Sequence, residues 1–182
     1  MSRWAIRSSD EGPVYLGYRL GHLKNDSRVL RALIYNKGAM VLHMLRRLTG
    51  DDAFFRAIRR FYSEHRFSKG GTDTLRQAFE TETGLEFSRF FERWIYGWTL
   101  PVLKYTSETD KSGARPALVV RFEQGDQVFD FAVTVTLRFA DRTVREVTLP
   151  IRDRRVEHRI PLEGALRSVQ VNRDRAVLLK GD

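Results

Sequence analysis

The fold of this chain is decided by residues 87–101, which read FSRFFERWIYGWTLP. Before Gly97 the apolar residues recur every three or four positions, as in helices, and after Pro101 they alternate with polar residues, as in strands. Glycine followed by proline is typical of the end of a helix. We therefore expect an α+β protein, with an all-α helical unit over residues 1–99 and a small all-β sandwich over residues 100–182.

Three more helical patterns precede this stretch. One runs from about Arg28 to Gly50, a second follows Asp52, and a shorter third ends before Gly84. In the first, apolar residues lie on nearly all sides around residues 41–45, which predicts a buried helix rather than a surface helix. Short connections between these patterns predict an all-α unit.

The remainder of the chain has the pattern of short strands separated by turns. Residues 129–139 alternate strictly between apolar and polar side chains, which predicts a strand with one buried face. Further apolar runs bring the expected number to roughly seven strands, the last at residues 176–179. Strands at a spacing of about ten residues favour a small sandwich.

Composition excludes several classes of protein. With 182 residues, 42% of them apolar, the chain is long enough to bury a core. Charged residues interrupt every apolar run well short of about 20 residues, so no membrane span is expected, and the first residues lack the apolar region of a signal peptide. The absence of cysteine excludes disulfides, thiolate catalysis and cysteine-based zinc sites. The absence of cysteine does not determine the cellular compartment, because a cysteine-free chain is stable in an oxidising or a reducing environment.

The net charge of +9 raises the question of an anionic partner. The arginines are spread through both halves of the chain, so we interpret them as a solvated surface and do not expect nucleic acid or membrane as partners. Trp94 and Trp98, four residues apart, could stack on bases, but at helical spacing beside Phe90 and Phe91 both are expected in the core. A nucleic-acid binder driven by charge is kept as the third and weakest hypothesis.

The four histidines do not have the spacing of a metal site. His22, His43, His65 and His158 are far apart, whereas zinc sites need converging ligands, commonly a His-Glu-x-x-His pair on one helix. We therefore assign no metal ligand to this chain. His43 and His158 are expected to be hydrogen-bonded core residues on the buried faces of a helix and a strand.

One tyrosine is a candidate for catalysis. Tyr35 stands at the head of the first helix in the stretch Tyr35-Asn36-Lys37-Gly38-Ala39. A phenol with a pKa near ~10 is neutral at physiological pH, so it can donate a hydrogen bond to a developing oxyanion. The small residues Gly38 and Ala39 would let a neighbouring segment approach and fix the phenol. A structural role for Tyr35 is the alternative that these residues leave open.

The residues around Tyr35 resemble a known family. Residues 35–45, YNKGAMVLHML, are similar to the Tyr-x-Lys-Gly-Ala-x-Val-Leu-x-Met-Leu segment of aminopeptidase N-type zinc metallopeptidases, the gluzincin aminopeptidases. Residues 90–94, FFERW, resemble the Phe-Phe-x-x-Trp segment that precedes a small β-domain in that family. The likeness spans about residues 28–105.

The resemblance implies a hydrolytic mechanism. In the family, a zinc ion held by a His-Glu-x-x-His helix and a downstream glutamate activates water, which attacks the amino-terminal peptide bond of the substrate. The tyrosine of the Tyr-x-Lys-Gly segment stabilises the oxyanion of the tetrahedral intermediate, and Tyr35 falls on that position. Lys37 and Gly38 match as well, and we interpret them as structural.

The departures from the family pattern are as informative as the match. The chain has no His-Glu-x-x-His, no third-ligand glutamate ahead of Tyr35 and no upstream β-domain. We therefore expect a carboxy-terminal fragment that is inactive by itself, because zinc and the rest of the catalytic domain belong to a longer parent enzyme acting on peptides. The alternative is a non-catalytic α+β protein-interaction module.

Overall fold

The computed structural model describes residues 5–6, 12–17 and 27–180, and the chain divides into two compact units, Arg3–Thr99 and Leu100–Asp182. The first unit contains helices and the second contains antiparallel strands, so the predicted α+β class is confirmed. That these units are two domains of a metallopeptidase stays a prediction. Among the described residues no helix combines the length and the apolar character that a membrane crossing requires.

The first long helix changes its winding part of the way along. From residue 27 onward the helical segments are α1 (Ser27–Leu30), π1 (Arg31–Lys37), α2 (Gly38–Thr49), α3 (Asp51–Glu64), α4 (Thr72–Thr83), α5 (Ser88–Phe91) and π2 (Glu92–Tyr96). The first three segments follow one another without a break, and the backbone N–H of Gly38 bonds to the carbonyl of Leu33, five residues earlier. This spacing defines a π-helix. The predicted span of the helix is confirmed, but its π-helical turn was not predicted.

A chain of aromatic rings fills the core of the helical unit. Neighbouring ring centroids are 5.5 Å apart between Phe54 and Phe79, 6.3 Å between Phe79 and Phe87, and 6.4 Å both between Phe87 and Phe90 and between Phe90 and Trp94. All five side chains are buried. Tilted and edge-on contacts of this kind stabilise a core beyond the area that they bury. The helical period in the sequence located the inward faces of α4 and α5 correctly. On α3 it predicts an inward stripe that includes Phe55 and Tyr62, but both of these side chains are exposed.

Further predictions about the helical unit are wrong as well. Helix α2 is amphipathic rather than buried on all sides, because Leu42 is 40% exposed and His43 is exposed as well. Trp98 is 56% exposed, because π2 ends before Gly97 and Trp98 no longer lies on a helix face. The apolar period alone did not show where each helix meets solvent.

The second unit is built from two three-stranded sheets. Their strands are β1 (Leu103–Asp110), β2 (Ala117–Gln124), β3 (Phe131–Phe139), β4 (Val144–Ile151), β5 (Arg155–Pro161) and β6 (Leu166–Val171). The strand orders are β1-β2-β5 and β4-β3-β6, and all pairs are antiparallel. The predicted packing of the sheets as a sandwich stays a prediction.

Strand β3 corrects the prediction of a half-buried strand, because both of its faces are buried. The threonines of its polar face have hydrogen-bond partners. Thr134 donates to Asp174 at 2.6 Å, and Thr136 donates to Glu146 at 3.2 Å. A hydroxyl group can be buried when it is hydrogen-bonded. The polar residues of a strand with alternating apolar and polar side chains therefore do not always face solvent.

The predicted seventh strand is absent from the described residues, since residues 176–179 are buried but not paired as a strand. Asn172 has a φ of +54° and Arg175 a φ of +52°, so the chain turns sharply here. The side-chain amide of Asn172 then pairs with both backbone groups of Val177. These bonds replace the ladder that a strand would have formed.

None of the eight residues of strand β1 is buried, a property that it shares with β6. It reads LKYTSETD and lies at the edge of its sheet, paired only with β2. Polar side chains on an edge strand protect it from pairing with another chain.

Candidate active-site segment around Tyr35

Tyr35 lies in π1 and its side chain is 67% exposed. Within the part of the chain that the structure describes, its phenol has no hydrogen-bond partner and no ring contact. Tyr35 is the ninth residue of the unbroken helical stretch that begins at Ser27, so it does not lie at the head of the helix as predicted, and its side chain contributes nothing to the core of this unit. The O–H group is open to a ligand.

Lys37 lies two residues later on the same π-helical turn, and only 1% of its surface is exposed. Its ammonium group donates to the carbonyl of Gly12 at 3.2 Å and to the carbonyl of Gly97 at 3.3 Å. Buried charged groups are rare in proteins unless they are hydrogen-bonded in this way. The placement agrees with the structural interpretation of Lys37.

The segment 12–17 is tied to the end of π2 next to this lysine. The backbone N–H of Tyr15 donates to the carbonyl of Ile95 at 3.0 Å, and the rings of Tyr15 and Tyr96 meet edge to face at 5.2 Å. These contacts hold together two parts of the chain that are 80 positions apart, counting from Tyr15 to Ile95.

Close packing at Gly38 and Ala39 does not explain how Tyr35 is held. A methyl group added to Gly38 would lie 3.7 Å from Cγ1 of Val14, which is an ordinary van der Waals distance. Ala39 is exposed. The bonds of Lys37 connect the π-helical turn to the rest of the unit, and sequence reasoning missed them. The sequence feature that could have indicated a buried, hydrogen-bonded lysine was its position within a largely apolar helix.

The histidines that the structure describes do not assemble into a metal site. His22 lies outside the described residues, and His43 is exposed on α2. His65 follows the end of α3, where its Nδ1 lies 3.1 Å from a carbonyl of that helix, and Nε2 of His158 lies 3.0 Å from the carbonyl of Pro150. His158 is therefore hydrogen-bonded but only half-buried. In the described part of the chain no three histidines, aspartates or glutamates converge, so these residues do not fit a zinc ion.

A surface cavity of about 490 Å³ lies on the β unit. It is lined in part by Arg121 and Arg155, whose charges are paired: Arg121 bonds Glu108 and Glu157, and Arg155 bonds Glu123. Exposed ion pairs of this kind are common on sheet surfaces and contribute little each. We assign this cavity no catalytic role.

Comparison with known proteins places the Tyr35 segment in a family. Residues 8–94 match the Peptidase family M1 domain. This part of the chain is therefore similar to the M1 peptidase family. The chain is 31% identical over 72 residues to Aminopeptidase N of Lactococcus lactis subsp. lactis and 29% identical over 91 residues to Aminopeptidase N of Streptomyces lividans. The suspected relationship to aminopeptidase N-type enzymes is therefore confirmed.

The M1 segment is short compared with these relatives. The alignments cover 40% and 50% of this chain, but only 8% of the Lactococcus protein and 11% of the Streptomyces protein. A solved structure, that of Legionella pneumophila aminopeptidase A in complex with aspartic acid, has the same fold with a TM-score of 0.69 and 15% identity. That likeness covers 83% of this chain and 18% of the Legionella chain.

Proposed function

We propose that this chain is the carboxy-terminal portion of a zinc aminopeptidase-like metallopeptidase that hydrolyses amino-terminal peptide bonds. The M1 match over residues 8–94 and the aminopeptidases among the relatives support this proposal. In the proposal, the zinc ion, its His-Glu-x-x-His helix and the binding site for the substrate's amino terminus belong to a longer enzyme. The chain by itself does not hydrolyse peptides.

Tyr35 is the catalytic residue that this chain supplies. The observation that carries the assignment is the exposed phenol, unpartnered among the described residues, at the tyrosine position of a Tyr-x-Lys-Gly segment inside the M1 match. Its location on a π-helical turn adds support, because single π-helical turns within α-helices are frequent at functional sites. A tyrosine kept only for packing would be buried.

The chemistry follows from the neutral phenol. When water attacks the substrate carbonyl, negative charge develops on the carbonyl oxygen. A fixed O–H donor stabilises that charge more in the transition state than it stabilises the neutral carbonyl in the ground state.

The decisive experiment is the Tyr35→Phe substitution in the longer protein that contains this chain. We expect kcat for an aminoacyl anilide to fall by ~10²–10³, the effect of losing one oxyanion donor, while the zinc content stays unchanged. Tyr62→Phe is a matched control, because Tyr62 is 66% exposed on α3 and its loss should leave kcat unchanged.

The alternative is a non-catalytic α+β protein-interaction module. It predicts a longer protein without His-Glu-x-x-His, or one in which Tyr35→Phe does not affect turnover. Either result would remove Tyr35 from a hydrolytic mechanism.

A further inference from the structure

We propose that Lys37 is a positioning residue for Tyr35, acting as a buried clamp that fixes the π-helical turn from which the phenol projects. The expected effect of Lys37 on turnover rests on the proposed function. The structural part of the inference, that the bonds of Lys37 set the position of Tyr35, is tested separately below.

The clamp joins three separate parts of the helical unit. Lys37 lies in π1, and its ammonium donates to Gly12 in the segment before the first long helix and to Gly97 just after π2. These acceptors are 25 and 60 residues away along the chain. A single side chain therefore locates π1 relative to both neighbouring segments.

Both acceptors stand at positions that favour glycine. Gly12 has a φ of +149°, a conformation that residues with a side chain rarely adopt. A methyl group added at Gly97 would lie 2.6 Å from the carbonyl oxygen of Arg93. The backbone can thus bring these two carbonyls to the ammonium because neither residue carries a Cβ.

The exposed phenol of Tyr35 depends on this backbone for its position. In the described residues no side chain holds the ring, so its location is set by the turn that carries it. The bond from the Gly38 N–H to the Leu33 carbonyl closes that turn, and the inward anchor of Lys37, two residues from Tyr35, ties it to the rest of the unit. Displacing the anchor moves the phenol.

A role in stability alone does not account for a lysine here. Burying an ammonium group costs free energy that its hydrogen bonds only offset, and an apolar side chain of similar length would fill the same volume without that cost. What the ammonium adds is directional bonding to two chosen carbonyls. This is the property that a positioning role requires.

The structural part is tested on the chain itself by ¹⁹F NMR with 3-fluorotyrosine, the Tyr35 signal being assigned by its loss in Tyr35→Phe. We expect Lys37→Met to shift or broaden the Tyr35 signal and to leave the Tyr62 signal unchanged. Lys69→Met is the control, since Lys69 is an exposed lysine of the same unit. An unchanged Tyr35 signal in folded Lys37→Met overturns the proposal.

The catalytic part is tested in the longer enzyme by a double-mutant cycle. We expect Lys37→Met to lower kcat by about 10²-fold, the effect of misplacing a catalytic group by ~1 Å, with KM and zinc content unchanged. In the Tyr35→Phe background the same change should lower kcat by less than ~2-fold, because two residues that act as one unit are not additive. Equal losses in both backgrounds mean a general structural role and overturn the proposal.

Two further variants keep the tests decisive if Lys37→Met does not fold. Lys37→Gln retains an amide donor on a shorter side chain, and Gly97→Ala leaves Lys37 intact but displaces its acceptor. Each is expected to move the Tyr35 signal, and an unchanged signal in both folded variants overturns the clamp. If Tyr35→Phe has no effect on turnover, the proposed function fails, while the ¹⁹F result still decides whether Lys37 positions Tyr35.

Discussion

The side chain of Asn172 forms two hydrogen bonds with the backbone of Val177. Its Nδ2 donates to the Val177 carbonyl at 3.0 Å and its Oδ1 accepts from the Val177 N–H at 3.1 Å, both in the interior of the β unit. Gln124 forms the same pair of bonds with Phe129, at 2.9 and 3.0 Å. Two buried amide side chains therefore take the place of strand pairing where the chain leaves its sheets.

We predict that Asn172→Ala destabilises the β unit by about 2–4 kcal/mol. The substitution leaves a buried N–H and a buried carbonyl of Val177 without partners, and it places alanine at a φ of +54°. Urea unfolding followed by circular dichroism measures the change. Asn172→Gly separates the two causes, because glycine adopts this φ freely. A loss below about 0.5 kcal/mol in the alanine variant would contradict the role of the bonds.

Gln124→Ala should cost a similar amount, about 2–4 kcal/mol, since Nε2 of Gln124 also donates to the carbonyl of Asp153 at 3.1 Å. The same unfolding measurement applies. Gln170→Ala is the control, because Gln170 is exposed on β6 and its loss should change stability by no more than about 0.5 kcal/mol. Equal effects of the two substitutions would show that the bonds of Gln124 do not stabilise the unit.

The stability of the helical unit should fall on acidification in part through Glu82. A hydrogen bond from Arg60 at 2.7 Å, joined by one from Arg56 at 3.1 Å, holds the pKa of Glu82 below its ordinary value. Because the pKa is lower in the folded state, this contribution is present above about pH 4.3 and is lost as the pH falls through the folded-state value.

Substitution of Glu82 tests this pH dependence. Glu82→Gln should lower stability at pH 7 and flatten the loss of stability between about pH 5 and 3. The fluorescence of Trp94, which is buried in the same unit, reports unfolding. Glu92 is an exposed glutamate of π2, so the control substitution Glu92→Gln should leave the acid-induced loss of stability unchanged. An unchanged transition in Glu82→Gln would exclude Glu82 as a source of it.

The chain of 182 residues by itself should neither hydrolyse an aminoacyl anilide nor bind zinc in a one-to-one ratio. The physical reason is that a catalytic zinc site needs three converging protein ligands, and the chain has no His-Glu-x-x-His. Dialysis against zinc followed by elemental analysis, together with an overnight assay, checks the prediction. Stoichiometric zinc accompanied by turnover would overturn it.

Residue patterns predicted the fold class and much of the helical core. The buried positions of Phe79 and Phe90 follow from a period of three to four, because that period places each residue on the inward face of its own helix, whereas on α3 the same period wrongly predicts Phe55 and Tyr62 as buried. The alternation around β3 likewise predicted a strand. Such patterns indicate which side chains are buried, and this information is sufficient to assign helices and strands.

The same patterns could not reveal features that depend on tertiary hydrogen bonds. Residues 176–179 are as apolar as a strand, yet the side chain of Asn172 takes the bonds that a strand would have made. The buried state of Lys37 depends on carbonyls 25 and 60 residues away. Resemblance to a family selected Tyr35, whereas its exposure on a π-helical turn became visible only in three dimensions.

The polar edge strand β1 has a consequence for the order in which the β unit opens. None of its side chains is buried, so little apolar surface holds it to β2, whereas β3 is buried along both faces. Local opening free energies follow buried contacts. Amide protons of β1 therefore exchange with solvent before those of β3, and so do those of the edge strand β6, which has no buried residue either, so each sheet opens from its exposed edge while its central strand is still folded.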